Sequence, residues 1–160
     1  MATADTFHGA KNAFSFFFAY LNTVGQDIGM ERAIALDTRM CETLGSAMGK
    51  AIKEKAGIEE IDAMGVDALT GGYIDDALGF SSEVIQKSGN RVVYKIGRCP
   101  IYEAAQELGM DDATVETICR ASAIRFMDTR VKQINPHLSY QLNEFRSSAD
   151  NFCIEEVKLG

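Results

Sequence analysis

The hydrophobic period of this chain changes once, near residue 80, and that change constrains the fold more than any other feature. Before it, apolar residues recur at steps of three, four and seven, as amphipathic helices require. After it, short alternating stretches appear twice, with helical periods between them.

The helical part reads in three pieces. Residues 6–22 carry Phe14, Phe17, Phe18 and Leu21 on one stripe. Phe16 and Tyr20 lie off it, so this helix is either covered on two sides, a homodimer partner included, or forms an aromatic wall of an apolar ligand pocket. Residues 25–29 break the pattern. A long helix over 30–56 follows, with Met30, Ile34, Cys41, Leu44, Met48 and Ile52 in phase. Gly45 and Gly49 are four apart and allow a second backbone to approach closely, and Cys41 reads as a small core hydrophobe. Gly57 caps the helix. Residues 58–78 read as one or two helices interrupted near Gly71-Gly72.

The alternating part opens with strands over 82–87 and 91–96 joined by Ser88-Gly89-Asn90, a hairpin signal. Arg98-Cys99-Pro100 then turns the chain into a short helix. Pro100 suits the first helical position and Gly109 the C′ position. Asp111-Asp112 offers an N-cap for a helix over 113–131 with Val115, Ile118, Cys119, Ser122 and Phe126 inward. Asn135-Pro136 ends it. A second hairpin pairs 137–145 with 151–159 around the polar turn 146–150; Tyr140 and Leu142 share one face, and strand parity turns Cys153 inward, although Phe152 and Ile154 compete for that side. The expected fold is α+β: N-terminal helices packed on an antiparallel sheet of about four strands, as two hairpins separated by two helices. Residues 1–160 are expected to form a single domain, helical over 1–79 and hairpin-helix-helix-hairpin over 80–160.

Net charge is −7 and no basic run occurs, which argues against nucleic acid and anionic membrane surfaces as partners. The longest apolar block, 13–21, falls short of the roughly 20 residues that span a bilayer. The four cysteines show no CxxC spacing, and no export signal precedes them, so reduced thiols and a cytoplasmic location are expected. No phosphate-binding glycine loop, GxSxG elbow, HExxH or dinucleotide fingerprint occurs, so nucleotide-dependent chemistry has no support.

Chemistry concentrates at Cys99. A helix N-terminus stabilises a thiolate, and Arg98 adds a positive charge. Glu103 follows one turn later. Cys119 and Cys153 come from later elements and read alone as core residues; converged with Cys99 they would make a soft metal site suited to zinc. A cysteine nucleophile needs a base, and His137 is the histidine placed to reach this region, although it also reads as an exposed loop residue. Residues 140–144 carry no basic side chain.

The block from Arg91 to Gly109 resembles the central motif of the 2-amino-thiazoline-4-carboxylate hydrolase family: a strand, an Arg-Cys-Pro turn, and a helix ending in Glu-Leu-Gly. Cys119, Asn135-Pro136 with Leu138, and Asp150 with Cys153 continue the resemblance. It implies a fold similar to the 4-vinyl reductase domain, which binds small apolar molecules and in some cases holds zinc. It also implies water attack on the amidine-like carbon of a thiazoline carboxylate, opening the ring to a carbamoyl cysteine. Cys99, Cys119, Cys153 and Glu103 match the family's cysteines and helix carboxylate. The expectation is a hydrolase acting on a carbon–nitrogen bond of a small cyclic substrate. The alternatives are a non-catalytic small-molecule sensor domain and a dimerisation module.

Overall fold

The computed structural model describes residues 4–59 and 61–160, so residue 60 of the expected 58–78 helical stretch and residues 1–3 of the expected domain lie outside the described residues. The fold is α+β. Helices α1 (Ala4–Ile28), α2 (Met30–Ala56), α3 (Ala63–Thr70) and α4 (Gly72–Leu78) precede the hairpin β1 (Ser82–Ser88) and β2 (Arg91–Ile96). Helices α5 (Pro100–Glu107), α6 (Asp112–Ala121) and α7 (Ala123–Ile134) then lead to the hairpin β3 (Leu138–Glu144) and β4 (Cys153–Leu159).

Local chemistry sets most of these boundaries. The first helix runs past the expected end at 22 and through Gly25, where the Met30 side chain packs over the bare Cα. It stops only at Gly29, whose φ of 92° is the left-handed turn between α1 and α2. Asp62 caps α3 by accepting from the Gly65 N–H at 2.9 Å, and Asp111 caps α6 by accepting from the Thr114 N–H at 2.9 Å. The helix expected over 113–131 is two helices. Ser122, at φ −112° and ψ −82°, interrupts the regular turn, and its side chain leaves the helix for Asp37.

The strands form one antiparallel sheet in the order β1-β2-β4-β3. The two hairpins therefore join along β2 and β4, which puts Ile96 opposite Cys153 and Tyr94 opposite Glu155. Alternation turns Val92, Tyr94 and Ile96 of β2, Cys153 and Val157 of β4, and Leu138, Tyr140 and Leu142 of β3 into the interior. One apolar cluster lies between this sheet face, α3 and α7; a second joins α1, α5 and α6; Phe80 and Phe145 touch both. On α1, Phe18 and Leu21 are buried, whereas Phe16 and Tyr20 are 80% and 71% exposed.

Helix α2 lies directly along α7. A Cβ on Gly45 would strike the Phe126 carbonyl oxygen, and one on Gly49 would strike the Arg130 carbonyl oxygen. Alanine at an exposed helical position gains about 1 kcal/mol over glycine. Here a backbone oxygen must move to admit it, and overpacking of that kind costs roughly 1–3 kcal/mol. The Gly45→Ala and Gly49→Ala variants are expected to unfold at lower urea concentration than the parent; a higher midpoint for both would show that the helices separate freely.

Candidate active site

Between the sheet face and the helices lies a cavity of about 240 Å³. Its walls are largely apolar: Phe14, Phe17 and Phe18 of α1, Phe80 before β1, Ile101 of α5, and Ile96 and Leu142 of the sheet. The aromatic stripe of α1 thus forms one wall. A polar seam crosses this space from strand to helix. Arg146, Tyr140 and Glu155 start it on the sheet side; Cys99, Cys153 and Cys119 continue it; Ser122, between α6 and α7, leads to Asp37 and Cys41 of α2, which end it. All four cysteines are free thiols.

Cys99 caps α5. Its sulfur accepts from the Tyr102 N–H at 3.5 Å, while Pro100 occupies the first helical position, where no N–H is needed. The expected thiolate is not what this placement favours. Burial pushes the Cys99 thiol up to about 12; the Tyr102 N–H and the Arg146 guanidinium oppose the shift without cancelling it. One N–H and a short helix do not replace the water a thiolate loses. Arg98 is not the cation that Cys99 feels. It donates to Glu103 at 3.0 Å and lies 3.5 Å over the Phe7 ring. Cys119 is raised by burial first, and then by Cys99, Cys153 and Glu155, so the three C-terminal thiols share one space with that carboxylate.

Two residues from the expected set lie elsewhere. Glu103 is ion-paired to Arg98 and does not line the cavity. His137 is exposed in the turn before β3, where its carbonyl accepts from the Gly160 N–H at 2.8 Å. Among the described residues no group of three or more His, Cys, Asp or Glu side chains is gathered to hold a metal ion.

Three charged residues enter the site in addition. Glu155 extends from β4 two residues after Cys153, on the same face, and accepts from the Tyr140 hydroxyl. Burial raises its pKa; the Tyr140 bond and Arg146 act the other way. The signal for it was present in the sequence, because the parity that turns Cys153 inward turns Glu155 inward too. Arg146 is 3% exposed, although the segment 146–150 reads as a polar turn. Its Nη2 donates to the Ile96 carbonyl at 3.0 Å and the Gly97 carbonyl at 2.6 Å, its guanidinium lies 5.0 Å over the Tyr102 ring, and its Nε is buried without a partner. It brings to the cavity wall a cation that 140–144 lack, and no local pattern announces it. Asp37 precedes Cys41 by one helical turn and accepts from Ser122 Oγ; burial raises its pKa above the usual carboxylate value. Cys41, expected as a plain core residue, is 3.9 Å from Asp37 Oδ1 and is pushed up to about 12 by burial and by that carboxylate.

Among the described residues no helix is long and apolar enough to cross a membrane. Residues 9–140 match the sequence model of a family described as L-2-amino-thiazoline-4-carboxylic acid hydrolase. No curated relative matches the chain. Among solved structures, trafficking protein particle complex subunit 3 from Naegleria fowleri, crystallised covalently bound to palmitic acid, is similar in fold, with a TM-score of 0.53, 11% identity and 95% of each chain covered.

Proposed function

The chain belongs to the L-2-amino-thiazoline-4-carboxylic acid hydrolase family, and from that premise we propose that it hydrolyses a carbon–nitrogen bond of a small cyclic, amidine-like carboxylate held in the cavity. One observation carries this reading. Glu155 and Arg146 both line an apolar cavity, close enough for Arg146 to hold the Glu155 pKa down, yet among the described residues neither is in direct ion-pair contact with an opposite charge. Buried charges held apart from a direct counter-ion contact are costly, and such groups concentrate where chemistry needs them.

Each residue then has a role. Arg146 holds the substrate carboxylate. Glu155 is the proton carrier, its raised pKa bringing it nearer the range where acid and base forms exchange readily. Cys99 is the nucleophile, a neutral thiol until Glu155 takes its proton. Sulfur bonds to the amidine carbon, the carbon–nitrogen bond breaks, and Glu155 returns the proton to the leaving nitrogen. Water, deprotonated in turn by Glu155, displaces the sulfur; Glu155 returns that proton to the departing Cys99 thiolate, and the product leaves. Cys119 and Cys153 shape the wall around the reacting carbon.

Cys99→Ser is the test. Serine is at least as good an N-cap, so α5 keeps its start. Turnover of 2-amino-thiazoline-4-carboxylate is expected to fall by a factor of 100 or more with the fold intact by circular dichroism. Unchanged turnover removes Cys99 from the mechanism.

The apolar lining and the high thiol pKa values favour a second reading, a domain that binds an apolar small molecule without turning it over. Native mass spectrometry of the purified chain separates the two, since a retained apolar ligand together with no turnover supports the second. The first reading also includes a homodimer, supported by exposed Phe16 and Tyr20 on α1 and by Leu36, Met40 and Leu44 at four-residue spacing on α2, and a reducing cytoplasmic setting, supported by the four free thiols.

A further inference from the structure

The α2 end of the polar seam has no part in the mechanism above, yet it holds the site's second buried carboxylate. Asp37 is 7% exposed and lines the cavity, and no cation faces it among the described residues. Its hydrogen bonds come from the hydroxyl of Ser122 and the thiol of Cys41. Neither neutralises a charge.

Two costs meet at this point of the wall. A carboxylate is taken out of water without a counter-ion, which burial of a charge normally requires. The helix spanning α6 and α7 is also broken, and the break sets the Ser122 hydroxyl on Asp37. A serine between two helices could satisfy its hydroxyl on its own backbone, as Thr38, Thr70 and Thr117 do on carbonyls four residues earlier. Here it orients a carboxylate instead. Ser122 follows Cys119 by one helical turn, so the Asp37 end is continuous with the thiols.

The cavity therefore has an anion-binding end at Arg146, a cation-binding end at Asp37, and apolar and thiol surface between them. We propose that Asp37, oriented by Ser122, is a substrate-binding residue that takes the amidinium group of a zwitterionic substrate whose carboxylate lies on Arg146. This rests on the proposed hydrolase reading for the Arg146 half only. A carboxylate accepts two parallel N–H bonds from an amidinium, as it does from a guanidinium. Such a pair holds the amidine carbon in one orientation and discriminates against analogues that lack the N–H groups, because a desolvated carboxylate is then left without partners.

Two probes separate this proposal from the hydrolase reading. Benzamidine has an apolar ring and an amidinium but no carboxylate or scissile ring, so its binding does not depend on turnover. It is expected to bind the wild-type chain and to bind the Asp37→Asn variant at least tenfold more weakly by calorimetry, with toluene binding unchanged in both. A crystal structure of the wild-type chain soaked with benzamidine, which does not depend on any variant folding, is expected to place the amidine nitrogens on Asp37. An amidine placed on Glu155, or no benzamidine in the cavity, overturns the proposal. So does equal binding to wild type and Asp37→Asn. In parallel, turnover of 2-amino-thiazoline-4-carboxylate reports on the hydrolase reading alone. If benzamidine seats on Asp37 while no turnover occurs, the binding residue stands and the hydrolase reading falls. If turnover occurs and Asp37→Asn leaves its KM and kcat unchanged, the reverse holds.

Discussion

Glu155→Gln is expected to abolish turnover and stabilise the protein at once. Glutamine keeps the length of the side chain and still accepts from the Tyr140 hydroxyl, so the β3–β4 contact survives. It cannot carry a proton between thiol, water and leaving nitrogen. General acid–base catalysis by one positioned group contributes roughly 10²–10⁴-fold, and a loss in kcat of that size is expected. Stability moves the other way, because a neutral amide replaces a carboxyl group whose ionised form is penalised by burial. The pH dependence follows with a definite sign. Glu155 and Asp37 both have folded pKa values raised above the ordinary carboxylate values of 4.5 and 3.8. Between those ordinary values and the raised ones, the folded chain binds more protons than the unfolded chain, so stability falls as pH rises through that window. Their contribution is most favourable below it. Thermal midpoints measured from pH 4 to 8 should therefore fall less steeply for Glu155→Gln than for the parent. A variant that is inactive and also less stable would mean that Glu155 serves the fold rather than the reaction.

Arg146→Met is expected to be the most destabilising single change in the site. Its guanidinium fastens the segment after β3 to the end of β2 through the Ile96 and Gly97 carbonyls, and it stacks on Tyr102 at the start of α5. Hydrogen bonds from a charged donor contribute about 1.5–3 kcal/mol each, and methionine leaves both carbonyls without this donor. A loss of about 3–5 kcal/mol is expected, out of the roughly 5–15 kcal/mol that holds a domain of this kind folded. That size of effect confounds any activity measurement, so Arg146→Lys carries the functional question. Lysine keeps the charge and loses the planar fork. With 2-amino-thiazoline-4-carboxylate, KM should rise tenfold or more while kcat changes less, and an analogue lacking the carboxylate should be bound equally by parent and variant. A KM unchanged in Arg146→Lys would mean that the substrate anion lies elsewhere.

The order of elements and the sheet were legible because alternation and helical period are properties of the chain itself. Strand parity placed Cys153, and the Arg-Cys-Pro turn placed Cys99 at the start of α5, as observed. The charged half of the site was not legible, for three separate reasons. Arg146 is polar and follows a strand, so it resembles every exposed turn residue; what buries it is a pair of carbonyls at the end of β2, 50 and 49 positions earlier. Glu155 obeyed the same parity as Cys153 but carries a charge, and charge reads as exposure. Ser122 looked like an inward residue on a continuous helix, because nothing local marks the break that Asp37 exploits from another helix. Glu103 is the converse case, one turn from Cys99 in sequence yet directed outward to Arg98. Proximity along a helix fixes which side chains neighbour one another on its surface, not which of them faces the interior.

The sheet order has a consequence for how the site comes into being. Strand β4 is the last of the four in sequence and yet occupies an inner position, with β2 on one side and β3 on the other. Cys153 and Glu155 reach the cavity only when it is seated, and the Arg146 tether to β2 closes beside it. A partly folded chain with helices and the first hairpin in place would have the greasy wall without Cys153, Glu155 and the Arg146 tether. Pairings between segments so distant along the chain form late, after the local ones. On the proposed hydrolase reading, catalytic competence and completed folding are one event, and a nick in the β3–β4 connection is expected to silence turnover before the helices lose their structure.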